Sequence, residues 1–163
     1  MDSMLVIRPA DTNDAATLLR FIKHMAAFER LQQEVSATEG DLRRSLFGEH
    51  PVATALIGEW DGQPVAYAIY FKNYSTFRAK PGIYLEDLFV LEAFRNRGIG
   101  RRMLAYLASL ARDGGYGRLQ WQALRWNEGA KRLYERLGAV EEKEWTGYRL
   151  TGEDLNKLAD EYR

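Results

Sequence analysis

Residues 95–100, RNRGIG, place two glycines one position apart at the head of an amphipathic run, with arginines on both sides. A helix start carries backbone N–H groups without internal acceptors and a partial positive charge. Glycine lets an anion approach that backbone and takes conformations closed to other residues. A strand, a short loop, Gly98-Ile99-Gly100 and a helix therefore suit a phosphate. Arg95, Arg97, Arg101 and Arg102 can add charge-assisted contacts, although four arginines around one turn cannot all face one way. A glycine-relaxed turn with a solvated arginine face is the other reading these residues allow. Two nucleotide motifs fit poorly. A P-loop needs Lys followed by Ser or Thr, which the stretch lacks, and a dinucleotide fingerprint needs Gly or Ala where Met103 stands.

A second chemical signal lies just upstream. Glu86 and Asp87 interrupt the apolar run IYLEDLFV. Adjacent strand residues point to opposite faces, so the two carboxylates are expected at different sites. A charge in a central strand costs free energy unless it is paired or reaches water. Asp87 reads as structural, paired with an arginine or capping a loop, and Glu86 stays open between structure and chemistry. Farther on, Asn127 and Tyr134 are seven residues apart and fall on one side of a helix, with Leu133 and Leu137 as its core-facing pair. From the helix alone, Tyr134 is a half-buried aromatic and Asn127 an N-cap. Phe28-Glu29 closes the first helix with an apolar anchor and an acid, while His24 and His50 read as packed or solvated, not as bases.

The elements that must position these groups follow from periodicity. MLVIRP, residues 4–9, reads as a strand. Asp11 or Asn13 can cap a helix along which Leu18, Leu19, Ile22, Met25, Ala26 and Phe28 recur. Thr38 caps a shorter helix with Leu42, Leu46 and Phe47 on one side. ATALIGEW and PVAYAIYFKNY form a hairpin around Asp61-Gly62, and residues 82–90 form a further strand. A helix follows Gly100, then the strand GRLQWQAL, a helix over 127–137 ended by Gly138, strands around 139–151 and a terminal helix. With 163 residues, 46% of them hydrophobic and 28% charged, and with no repeat or linker, residues 4–163 are expected to form one mixed α/β domain.

Composition narrows the chemistry. Cysteine is absent, which excludes disulfides, thiolate metal sites and a cysteine nucleophile. Two histidines make a histidine metal cage improbable, so no metal is expected. The 23 basic side chains balance 23 acidic ones, so neither nucleic acid nor a membrane surface is an expected partner. No leader-like or spanning apolar run is visible, and a cytoplasmic location is the default expectation.

Arg95 to Gly100 resembles the R/Q-x-x-G-x-G/A acetyl-CoA signature of the GCN5-related N-acetyltransferases. VIRPA, FGEHP, YLEDLFV, RGIG, and WNE followed by LYERLGA occur in that family's order over nearly the whole chain. FGEHP, YLED and RGIG are together similar to its diamine (spermidine/spermine) and thialysine branch. The resemblance implies a mixed, mostly antiparallel central sheet flanked by helices, with splayed strands forming the acetyl-CoA cleft. It implies coenzyme A pyrophosphate on the loop and helix start at Asn96, Arg97, Gly98, Ile99, Gly100 and Arg101. The pantetheine arm is implied beside Leu88, Phe89 and Val90 and near Asn127. It further implies Phe28, Glu29 and Glu86 around a small-molecule amine, Glu86 passing a proton outward, and Tyr134 protonating the departing thiolate. A homodimer is implied too. One departure is Thr146, where the polyamine enzymes carry a second glutamate, which weighs against spermine or spermidine. Acetyl transfer to a protein or peptide amine, and a non-catalytic acyl-CoA-binding module, are the alternatives.

Overall fold

The computed structural model describes residues 4–162; residues 1–3 and Arg163, the last residue of the expected domain, lie outside the described residues. The β-branched and aromatic runs form five strands: β1 Leu5–Pro9, β2 Thr54–Trp60, β3 Gln63–Ser75, β4 Lys80–Val90 and β5 Leu119–Trp121. They lie side by side in chain order, antiparallel except for the parallel β4–β5 pair. The helices are α1 Ala15–Phe28, α2 Glu39–Phe47, α3 Ile99–Asp113, α4 Glu128–Arg136 and α5 Gly152–Asp160. This is the mixed, mostly antiparallel α/β arrangement expected. The chain divides into two compact units, Met1–Trp126 and Asn127–Arg163. The first holds the whole sheet with α1, α2 and α3, and the second holds α4 and α5.

Local chemistry sets the boundaries. Asp61 and Gly62 take φ of 50° and 80°, the left-handed pair that lets a two-residue turn follow the twist of β2 and β3. Thr38 and Asp41 cap α2 reciprocally, side chain to backbone amide in both directions. Asp11 and Asp14 do the same ahead of α1. Asp14 also receives two hydrogen bonds from the Arg8 guanidinium, at 2.8 and 2.9 Å, and Arg8 Nε donates to Glu59 at 2.8 Å. One side chain thereby ties β1, β2 and the entry to α1.

Both sheet faces in the first unit are covered. Leu18 and Phe21 of α1, with Leu42 and Leu46 of α2, pack on Ala55, Ile57, Tyr67, Ile69 and Phe89. On the other face α3 buries Met103, Leu104 and Leu107. Small residues permit its close approach: a Cβ on Gly58 would stand 3.3 Å from Met103 Sδ and 3.1 Å from the Ala66 Cβ. Each fully buried aliphatic or ring contributes about 1.5–3 kcal/mol.

Two expectations about strands are corrected. GRLQWQAL yields only the three residues of β5, because pairing with β4 stops at Leu85–Trp121. Residues 139–150 form no strand. A strand is defined by its ladder, and among the described residues this segment has none; Val140, Trp145 and Tyr148 are exposed.

The Arg8 hydrogen bonds hold the Asp14 carboxyl below the usual carboxylate range. A lowered folded-state value gives stability that is present above the unfolded value near 3.8 and lost as pH falls through the folded one. Asp14→Asn should cost about 1–3 kcal/mol in denaturant unfolding at pH 7, a difference that shrinks at pH 3. An equal cost at both pH values would contradict this.

Candidate active site

β4 is the strand on which the site is built. Its parallel pairing with β5 covers Ile83 to Leu85 and no more, yet β4 runs on to Val90. Beyond Leu85 the two strands part, and the β5-facing edge of residues 86–90 has no ladder partner among the described residues. Such an edge offers main-chain groups to an extended ligand. The chain then passes through a short 3-10 turn, Glu92–Phe94, and reaches Gly98, the N-cap of α3. Gly98 has φ 76° and Asn96 φ 61°, both left-handed, and no side chain caps the helix. A Cβ on Gly98 would meet no atom within 4 Å, so the space over the helix start is open. The Arg102 amide makes the first backbone bond of the helix, to the Gly98 carbonyl at 3.0 Å, so the preceding turn presents its amides outward. Asn96, Arg97, Gly98, Ile99, Gly100 and Arg101 thus form an open, uncapped helix start that follows Leu88, Phe89 and Val90 in the chain, the kind of arrangement that suits an anion.

The carboxylates are not arranged as simple alternation requires. Ile69 pairs with Asp87 but Tyr70 pairs with Leu85, so Glu86 is an extra residue, a β-bulge. A regular strand would place Leu85 and Asp87 on one face. Here the bulge keeps Leu85 in the core opposite Tyr70 and turns Asp87 to the α1 face, opposite Ile69. Glu86 itself is exposed. The structural role expected for Asp87 is corrected in kind, since neither an arginine nor a loop end is its partner. The Tyr67 hydroxyl donates to Asp87 Oδ2 at 2.9 Å. Burial pushes the Asp87 carboxyl up to about 6; the Tyr67 hydrogen bond opposes that, and the charges of Glu86 and Glu29 add to it. Tyr67 is fully buried, and burial beside Asp87 raises its hydroxyl well above the ordinary value, which keeps it a donor. Glu29, at the C-terminal end of α1, is also raised by burial. Glu86 and Glu29 each stand in reach of the Asp87 carboxyl, and a grouping of negative charge that is partly desolvated favours a cation.

Aromatic rings and arginines border this place. Phe28 lies against Trp126, ring centres 5.8 Å apart, and both rings are about half exposed. Arg95 does not face the open helix start as the sequence allowed. Its Nε donates to the Val90 carbonyl at 3.1 Å, and its guanidinium lies over Phe28 and Phe89. Arg97 lies over Trp60 and Phe94, and Arg102 faces Leu5 and Ile7 of β1. His24 and His50 are exposed, in keeping with solvated histidines.

In the second unit, Asn127 Oδ1 accepts the Ala130 amide at 3.2 Å, so Asn127 is the N-cap of α4. Leu133, Tyr134 and Leu137 are half buried. The helix closes just after Tyr134: Gly138 has φ 86°, and the Gly138 and Ala139 amides donate to the Glu135 and Tyr134 carbonyls. Thr146 is exposed in the segment without strands.

Sequence reasoning missed the Tyr67–Asp87 pair beside Glu86 and Glu29. A hydroxyl-bearing ring in the centre of the run PVAYAIY, where an apolar side chain would pack as well, was the one available signal.

Comparison with known proteins gives three likenesses beside a family match. A profile of the Acetyltransferase (GNAT) family matches residues 19–139. The thialysine N-epsilon-acetyltransferase of Bos taurus is 35% identical over 168 residues, covering 96% of this chain and 98% of that protein. The L-ornithine N5-acetyltransferase NATA1 of Arabidopsis thaliana is 29% identical, with 93% and 86% covered. Among solved structures, an integron cassette protein from the mobile metagenome of V. cholerae superposes with a TM-score of 0.79 at 27% identity, with 95% and 97% covered.

The raised Asp87 carboxyl makes a prediction with a definite sign. Its contribution to stability is fully present below the unfolded value of 3.8 and is lost as pH rises through about 6. Asp87→Asn should therefore stabilise the protein by about 2–3 kcal/mol at pH 8 and by little at pH 4, read from urea midpoints. Tyr67→Phe, which removes the opposing hydrogen bond, should move the titration above 6. A stability difference that does not vary with pH would contradict the assignment.

Proposed function

The chain belongs to the Acetyltransferase (GNAT) family, and on that premise we propose that it carries the acetyl group of acetyl-CoA to a primary amine of a small molecule. It is an N-acetyltransferase close to the thialysine and polyamine types. The observation that carries the finer reading is the course of β4, which leaves β5 on its way to an uncapped glycine helix start and carries the bulged carboxylates on the same strand. Donor and acceptor chemistry are thereby assigned to one strand. The family match runs from residue 19 to 139 across the boundary at Trp126, which supports residues 4–163 working as a single acetyltransferase domain.

In this reading the diphosphate of the donor lies on the amides from Asn96 to Arg101, and its pantetheine arm runs along Leu88, Phe89 and Val90. Backbone N–H groups near Leu88 to Val90 polarise the thioester carbonyl. The acceptor cation is held by Glu86 and Glu29 beside Phe28, and Asp87 joins them. An alkylammonium with a pKa near 10.4, taken from lysine, must lose a proton before its nitrogen can attack. Glu86 receives that proton and passes it to water. Nitrogen then bonds to the acetyl carbon, the C–S bond breaks, the thiolate takes a proton from the Tyr134 hydroxyl, and the proton that nitrogen sheds as the amide forms returns through water to the Tyr134 oxygen. Asn127 holds the start of Tyr134's helix. No acyl-enzyme is needed, because holding both substrates together supplies much of the rate.

Carboxylates on the acceptor side favour a free amine such as a thialysine-like amino acid, ornithine or a short diamine. Thr146 supplies no second carboxylate for a long polyamine. A homodimer is supported by the apolar side chains of Val140, Trp145 and Tyr148, which residues 139–150 leave exposed in the second unit. No helix among the described residues is long and apolar enough to cross a membrane. A cytoplasmic location is part of the proposal and does not rest on that absence.

A thiol-release assay with acetyl-CoA and a panel of thialysine, ornithine, short diamines, spermidine and lysine peptides tests the acceptor class. Turnover of the free small amines should exceed that of the peptides by at least about tenfold in kcat/KM, and preference for peptides would overturn the reading. Tyr134→Phe should lower kcat by about 10²-fold or more with little change in the KM for acetyl-CoA. Unchanged turnover across pH would remove the acid role.

A further inference from the structure

Among the arginines ahead of α3, one turns away from the helix start. Arg95 donates its Nε hydrogen to the Val90 carbonyl, at the last residue of β4 and on the edge freed by the parting of β4 and β5. Its guanidinium carbon stands 4.4 Å from the centre of the Phe28 ring and 5.5 Å from that of Phe89. Phe28 leans on Trp126, and Arg30 covers Trp126 from 5.8 Å. Phe89 leans on Tyr67, whose hydroxyl holds Asp87. The Arg95 side chain is thus the common neighbour of the strand end and of two rings that lead to Phe28-Glu29 and to Tyr67-Asp87. It lies one residue before Asn96, at which the left-handed loop begins.

We propose that Arg95 is a positioning residue that couples the two substrates: occupancy of the donor loop fixes Arg95, and Arg95 fixes the Phe28–Trp126 wall of the acceptor site. The proposal rests on the donor and acceptor assignments made above. The physical basis is specific. A guanidinium plane lies flat on an aromatic ring while its edge donates a hydrogen bond, a combination a lysine ammonium reproduces only in part. A ligand that settles on residues 88–90 and 96–101 bounds the Arg95 side chain at both ends, through the Val90 carbonyl and through its own backbone. Any resulting restriction reaches Phe28 directly, because nothing stands between the cation and the ring face. Coupling of this kind is reciprocal, so a bound amine must favour the donor by the same factor. Arg97 provides a contrast within the same loop: its neighbours are Trp60 and Phe94, away from Phe28.

Trp126 gives a readout that does not require knowing the amine. In the full-length protein, titration with CoA alone should change tryptophan emission, and Trp126→Phe should abolish most of that change. Arg95→Met should bind CoA within about threefold of wild type by calorimetry, yet lose the Trp126-dependent signal, as should Phe28→Leu; Arg95→Lys should retain part of it. The kcat/KM for thialysine should fall about tenfold in Arg95→Met, mostly in the amine KM. A full Trp126 signal in Arg95→Met, or CoA binding to wild type without any Trp126-dependent change, would overturn the coupling while leaving the donor site intact. Loss of CoA binding by more than about tenfold in Arg95→Met would make Arg95 a direct donor ligand and overturn it equally. Failure of wild type to bind CoA would remove the donor assignment, and the coupling with it. Should Arg95→Met fail to fold, Arg95→Lys and Phe28→Leu decide the question by the same signals.

Discussion

One residue too many in β4 governs how the functional half of the sheet is organised. A strand pairing regularly with β3 over its whole length would carry Leu85 and Asp87 on the same face, so the core would receive a carboxylate or lose a leucine. The bulge at Glu86 removes that conflict. Leu85 and Ile83 remain buried on the α3 side, while Asp87 and Phe89 are turned to the α1 side. The bulge also marks where β4 ceases to follow β5, since parallel pairing ends at Leu85. A local irregularity thus separates a stretch of β4 paired with both β3 and β5 from a stretch paired with β3 alone.

The energetics are uneven by design. The face of β2 and β3 toward α1 and α2 carries the buried cluster, and Arg8 bridges β1 and β2 to the start of α1. The far end of α1 is half exposed and bears Phe28 and Glu29, and near it burial raises the carboxyls of Glu29 and of Asp87 on β4. A scaffold of that kind tolerates a destabilising cluster because α1 is anchored at its other end. The proposed site lies where β4 has an edge without a ladder partner and where carboxyls are partly desolvated.

Much of this was legible in the sequence, and for physical reasons. The Asp61-Gly62 turn, the Thr38 and Asp11 caps, and the helical spacing of Leu18 through Met25 are local signals, and local interactions form those elements. RNRGIG marked the glycine start of α3 because only a few residue types take a left-handed N-cap there. The bulge was not legible, since it depends on which residues of β3 lie opposite and not on β4 itself. Asp87 was misjudged: the cost of a charge in a strand called for an arginine or a loop end as its partner, whereas its partner is a tyrosine twenty residues earlier. The direction of Arg95 likewise follows from Phe28, remote in sequence. The strands expected around 139–151 have the composition of strands but no ladder among the described residues.

The account stands on the freed edge of β4 and the helix start at Gly98 acting together as the donor site. Amide hydrogen exchange, followed with and without CoA, tests this most directly. The account predicts slowed exchange at residues 88–90 and 96–101, with the β1–β2 ladder unaffected. Unchanged exchange in both of those segments at saturating CoA, or protection elsewhere in the chain instead, would contradict it.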